Sequence, residues 1–99
     1  MKSISKVVWS EEAVENLQKI IQFLEENWSE KEIRKFAMKL EKQISIIKSQ
    51  PHTFPKANNF DVRRSVLSKQ TSIYYNVHQD TLRIVTIFDN RQDPKKLKL

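Results

Sequence analysis

Residues 62–88, VRRSVLSKQTSIYYNVHQDTLRIVTIF, decide the reading of this chain. β-branched and aromatic residues crowd three runs here, Val62 to Leu67, Ser72 to Val77 and Leu82 to Phe88. The runs are separated by Ser68-Lys69-Gln70-Thr71 and His78-Gln79-Asp80-Thr81. Side chains in an extended chain alternate between two faces, and short polar breaks between such runs suit hairpins, so the stretch predicts a three-stranded antiparallel meander.

Upstream the period changes. Ser5-Lys6-Val7-Val8-Trp9 is a short β-rich run ending at Ser10, whose hydroxyl is suited to cap a helix that opens with Glu11 and Glu12 at its positive end. Val14, Leu17, Ile20, Ile21, Leu24 and Trp28 then recur at three- and four-residue steps among polar residues, which predicts an amphipathic helix. Ser29 and Glu32 stand at capping-box spacing, and Ile33, Phe36, Leu40, Ile44 and Ile47 carry a second helix until Pro51. With only Asn27 to Ser29 as a connection, the two helices are expected to form an antiparallel hairpin. His52 to Asn59 lacks periodicity and reads as a loop. The expected architecture is α+β, in the order β-α-α-β-β-β, with a helical hairpin on a mainly antiparallel four-stranded sheet.

The chain has 99 residues, so a single domain over 1–99 is expected. Its 18 Lys and Arg against 12 Asp and Glu give a net charge of +6, which favours acidic protein surfaces, nucleic acid or anionic membranes as partners. From Phe60 onward eight basic residues face four acidic ones, so the excess is densest in the C-terminal part. Cysteine is absent, which removes disulfides and cysteine-ligated metals; glycine is absent too, which removes the glycine-rich loops that cradle nucleotides. No cofactor is expected. No apolar run approaches the roughly 20 residues that span a bilayer, and a cytoplasmic protein without membrane association is the expectation.

Four pieces in order, Val8-Trp9-Ser10, Val62-Arg63-Arg64, Ile73-Tyr74-Tyr75-Asn76-Val77 with Asp80, and Ile87-Phe88-Asp89-Asn90-Arg91-Gln92-Asp93-Pro94, resemble the ParE/RelE toxin superfamily over nearly the whole chain. For RelE-like members the resemblance implies a ribosome-dependent mRNA endoribonuclease, with Arg64 and Arg91 at two of its basic positions. The sequence departs from that set: Val66 stands where the nucleases often carry lysine, Ser72 where an arginine would lie, and Leu97 near the expected tyrosine. Lys56-Ala57-Asn58-Asn59 replaces the family's usual glycine after the loop proline.

RNA cleavage by a 2′-hydroxyl needs a proton acceptor, a proton donor and cationic stabilisation, and the two arginines supply only the last. The chain is more similar to ParE-like members, for which the resemblance implies a non-enzymatic toxin that binds DNA gyrase and is neutralised by a cognate antitoxin in a hetero-oligomer. The ribosome and mRNA are the alternative targets. A degenerate, non-toxic family member is a further reading.

Candidate contact residues for target or antitoxin are Arg63, Arg64, Tyr74, Tyr75, Arg83 and Arg91. Arg63 and Arg64 are adjacent on a strand and must point to opposite faces, as must Tyr74 and Tyr75, of which one is expected in the core and the other exposed. Arg83 alternates with Leu82 and Ile84 and so points outward. Ordinary solvated charge and core tyrosine are the competing readings. His52 and His78 are read as surface residues and no metal site is expected. Trp9 and Trp28 are read as anchors of the first helix.

Overall fold

The computed structural model describes residues 4–57 and 61–89. Elements follow in the order β1 (Lys6–Trp9), α1 (Glu11–Asn27), α2 (Glu30–Ser49), β2 (Arg63–Val66), β3 (Thr71–His78) and β4 (Thr81–Asp89). The predicted order is therefore observed, with β3 and β4 each reaching one residue further at both ends. The sheet runs β1-β4-β3-β2. β2, β3 and β4 form the antiparallel meander, and β1 joins β4 in parallel through Val7 opposite Leu82 and Trp9 opposite Ile84. Lys56 adds one antiparallel pairing with Arg63, so part of the segment read as loop lies against β2.

Ser10 joins strand to helix. Its Oγ accepts from the Ala13 amide at 2.9 Å, the expected cap, and donates to the Val85 carbonyl at 2.5 Å. That carbonyl is available because the β3–β4 register shifts between Tyr74 and Tyr75, leaving Val85 as the extra residue of a bulge. Ser29 differs: it occupies the N-cap of α2 but makes no side-chain cap bond, and its carbonyl instead accepts from the Glu32 and Ile33 amides.

Both helices pack on one face of the sheet. Ile20 and Leu24 of α1 and Leu40 and Ile47 of α2 bury against Ile73, Tyr75, Leu82, Ile84 and Ile87. The polar groups in this interface are paired: Gln43 donates to Ser65 Oγ at 2.6 Å and Asn16 to Thr86 Oγ1 at 2.9 Å. Among the described residues, no buried side-chain nitrogen or oxygen is without a partner. Trp9 packs on the core as expected, whereas Trp28 is 54% exposed and is not an anchor. It stands in the two-residue connection between the helices, where the chain reverses and helical periodicity no longer dictates a buried face.

The β3–β4 turn has two residues, with His78 opposite Thr81. Gln79 there takes φ 57°, a left-handed conformation that a Cβ disfavours. Gln79→Gly is expected to stabilise the protein by about 0.5–1 kcal/mol, less any gain in unfolded-chain entropy. A rise in the urea midpoint at unchanged slope checks it. Asp80 completes the turn: its carbonyl accepts from the Ser5 and Lys6 amides and its carboxylate from Ser5 Oγ at 2.5 Å, tying the start of β1 to the hairpin. The Ser5 hydrogen bond, with help from its own backbone amide, Thr81 and the Lys6 charge, holds the Asp80 carboxyl below its usual range.

Candidate functional site

The face of the sheet away from the helices carries a second small cluster, Val62, Tyr74 and Phe88, with Ala57 and Val85 against it. Arg64 lies opposite Tyr74 in register and shares that face; its Nε donates to Ser72 Oγ at 3.1 Å while its side chain reaches solvent. Arg83 alternates with the helix-side residues Leu82 and Ile84, so it too points to the helix-free face, between exposed Val8 on β1 and Asn76 on β3. Strand spacing and a two-residue offset put the two arginines about 12 Å apart at Cα. Both guanidinium groups are open to a partner on this face.

Arg63 takes the other side. Its register partner is Tyr75, in the helix-side core, and its Nη1 donates to the Phe54 carbonyl at 2.6 Å. Phe54 packs edge-on against the Tyr75 ring, with centroids 6.3 Å apart and an interplanar angle of 84°. The Tyr75 hydroxyl donates to the Pro51 carbonyl at 2.7 Å. Burial pushes the Tyr75 pKa up to about 12, against the opposing pull of the Arg63 charge. Arg63 and Tyr75 thus bind the segment after α2 to the sheet. The expectation that one of the two tyrosines is exposed is not met: Tyr75 is fully buried and Tyr74 is 7% exposed. Tyr74 sits on a face that has its own apolar cluster, which the alternating pattern of β3 does not reveal.

The structure therefore brings Arg64, Tyr74 and Arg83 to one face and Arg63 and Tyr75 to the other. Arg91 lies outside the described residues. His52 and His78 are both exposed, and among the described residues no group of three metal-ligating side chains converges. No helix is long and apolar enough to cross a membrane, among the described residues.

A second feature lies on the helical side. Between α1 and α2 runs an apolar groove of about 270 Å³, walled by Leu17 and Ile21 on one side and Ile33, Phe36, Ala37 and Ile44 on the other. These residues belong to or border stripes that the spacing assigns to the core. Several of them are only half-buried, because the sheet covers one side of each helix and leaves the seam between them open. A stripe wider than a single packing face requires was the available signal.

Comparison with known proteins agrees with this arrangement. The family model described as the ParE toxin of the type II toxin–antitoxin system parDE matches residues 7–94. No curated protein sequence matches the chain. Among solved structures, the chromosomal ParDE toxin–antitoxin system from P. aeruginosa superposes with a TM-score of 0.72 at 15% identity, covering 87% of this chain and 96% of that one. A YoeB/ParE toxin from Agrobacterium tumefaciens gives 0.62 at 13% identity over 85% and 96%. The toxin–antitoxin complex DinJ-YafQ of E. coli gives 0.59 at 10% identity over 89% and 94%. At such identities the structural likeness is one of fold, and the sequence model carries the family: with 7–94 matched, the chain belongs to the ParE toxins of type II toxin–antitoxin systems.

Proposed function

We propose that this protein is a toxin that acts by binding, on DNA gyrase, and is held inactive by a cognate antitoxin whose apolar segment lies in the groove between α1 and α2. The groove carries the antitoxin half of the reading. It is an apolar seam open on the surface of a highly charged protein, and such seams are where amphipathic helices dock. The net charge of +6 favours an acidic partner.

The choice of a binding mechanism over RNA cleavage rests on the chemistry around Arg64. Its described neighbours on the helix-free face include Ser72, Tyr74, Val62 and Val66, none of them a histidine or a carboxylate. The tyrosine that does have an electrostatic link to an arginine, Tyr75, is buried on the opposite face with its proton held up to about pH 12. The second reading, a ribosome-dependent mRNA endonuclease with Arg64 and Arg91 at its basic positions, draws on the exposure of Arg64 on the helix-free face.

Induced expression with and without the adjacent reading frame tests both halves. Growth arrest relieved by the neighbour, with inhibition of gyrase supercoiling by the purified protein and intact mRNA, is the expected result. Codon-associated mRNA cuts that vanish in Arg64→Ala would overturn the gyrase reading in favour of the nuclease. Expression without arrest would identify a non-toxic family member. An Arg64→Ala, Arg83→Ala double variant is expected to weaken target inhibition at least about tenfold while folding normally, since both side chains reach solvent.

A further inference from the structure

On the side of α2 turned away from α1, Lys31, Lys35, Lys39 and Lys42 follow one another at steps of four, four and three, forming a single basic ridge. The ridge does not stand on a polar surface. Lys35, Lys39 and Lys42 rim a largely apolar hollow of about 600 Å³ between α2 and the β2–β3 turn, with Phe36 and Met38 in its lining and Ser68 at its far side. Met38 is 71% exposed. The carboxylate of Glu32 lies 4.0 Å from Lys35 at the N-terminal end of the hollow, a solvent-exposed pair that offsets only one of the ammonium groups.

Phe36, packed on the core, lines both this hollow and the α1–α2 groove, and on the outer face of α2 a shallow depression shares Met38 and Lys42 with the hollow and Glu41 with the groove. Lysines around an apolar floor suit a segment that brings both apolar side chains and carboxylates, because the stems pack on the floor while the ammonium groups meet the acids. A nucleic-acid backbone would use the lysines but leave Met38 and Phe36 without an apolar counterpart.

From this geometry we infer that the partner segment seated in the groove continues over the outer face of α2 past Met38 and places an acidic amphipathic stretch in the lysine-rimmed hollow, so that α2 is gripped from both sides by one antitoxin chain. The inference rests on the antitoxin reading above and adds a second subsite to it. Its chemistry is specified: alternating apolar and carboxylate side chains, opposite three lysines.

Binding of the product of the adjacent reading frame tests this, measured by calorimetry at two salt concentrations against the wild-type chain, a Lys35→Glu, Lys39→Glu, Lys42→Glu variant, and a Met38→Asp variant. All four side chains lie at the surface or the rim of the hollow, and thermal melts confirm folding. The expected result is an affinity loss of at least about tenfold in the triple variant, with a flatter salt dependence, and a smaller loss in Met38→Asp. Unchanged affinity and salt slope in both variants would overturn the second subsite while leaving the groove reading intact. Failure of the wild-type chain to bind that product would overturn both. Loss of DNA or RNA retention in the triple variant, with partner affinity unchanged, would overturn the inference and assign the ridge to nucleic acid.

Discussion

Tyr75→Phe is expected to destabilise the fold by about 1–2 kcal/mol, and Tyr75→Ala by about 3–5 kcal/mol. The first change leaves the ring in place and removes one hydrogen bond, stranding the Pro51 carbonyl that now accepts from the hydroxyl at 2.7 Å. The second also empties the space of the largest fully buried side chain and removes the edge-on partner of Phe54. Chemical unfolding gives both magnitudes. The same residue sets an alkaline limit. Burial raises the Tyr75 pKa in the native protein to about 12, whereas the unfolded side chain titrates near 10. Between those values the unfolded chain releases a proton that the native chain keeps, so stability present below about pH 10 falls as pH rises towards 12. Tyr75→Phe is expected to flatten that fall. Arg63→Gln is expected to move the native titration upward, because the Arg63 charge lowers it. An alkaline limit unaffected by Tyr75→Phe would show that other groups set it.

The second large effect is expected at the groove. Ala37→Glu should weaken binding of the antitoxin by about 2–4 kcal/mol, roughly 30- to 1,000-fold, without unfolding the toxin. Ala37 is exposed and sits mid-helix, where glutamate is nearly as good a helix former as alanine, so the fold loses at most a few tenths of a kcal/mol. In the groove the consequence is different. The new carboxylate would lie one turn from Glu41, which already borders the groove, and would have to be desolvated beneath an apolar segment. Together with the +6 net charge, this makes the site one that an acidic amphipathic helix leaves when a negative charge is introduced. Copurification of toxin and partner, wild type against Ala37→Glu, reads the effect directly. A cell carrying both genes should then arrest growth with the variant although the antitoxin is present. Undiminished copurification would move the antitoxin's seat elsewhere, with the helix-free face around Arg64 and Arg83 the next surface to test.

Much of the fold is legible in the sequence. Ser10 was readable as a cap because capping is decided within four residues, and its bond to the Ala13 amide follows. Ser29 carried an equally good signal but its hydroxyl makes no cap bond, since its carbonyl takes up the first amides of α2 instead. The separation of Arg63 from Arg64 follows from strand alternation alone. That Arg63 is the one turned to the helices does not, because it depends on the register that sets Arg63 opposite Tyr75. Tyr74 and Trp28 depart from the sequence expectation for related reasons. Tyr74 is buried on a face that lacks a helix, and Trp28 continues the helical stripe in sequence yet falls in the connection where the helix has ended.

By itself, then, the sequence determined the elements and their order, the exclusion of nucleotide-binding glycine loops and cysteine-ligated metals, and the resemblance that the family match bears out, because periodicity, caps and residue inventory act over a few neighbours. Only the tertiary structure decided which apolar residues stay open as a groove, which arginines share a face and where α2's lysines surround an apolar hollow. Burial is settled by chain segments far apart in sequence, as when β1 pairs with β4 across more than seventy residues, and no local pattern records how much of a helix the sheet beneath it covers.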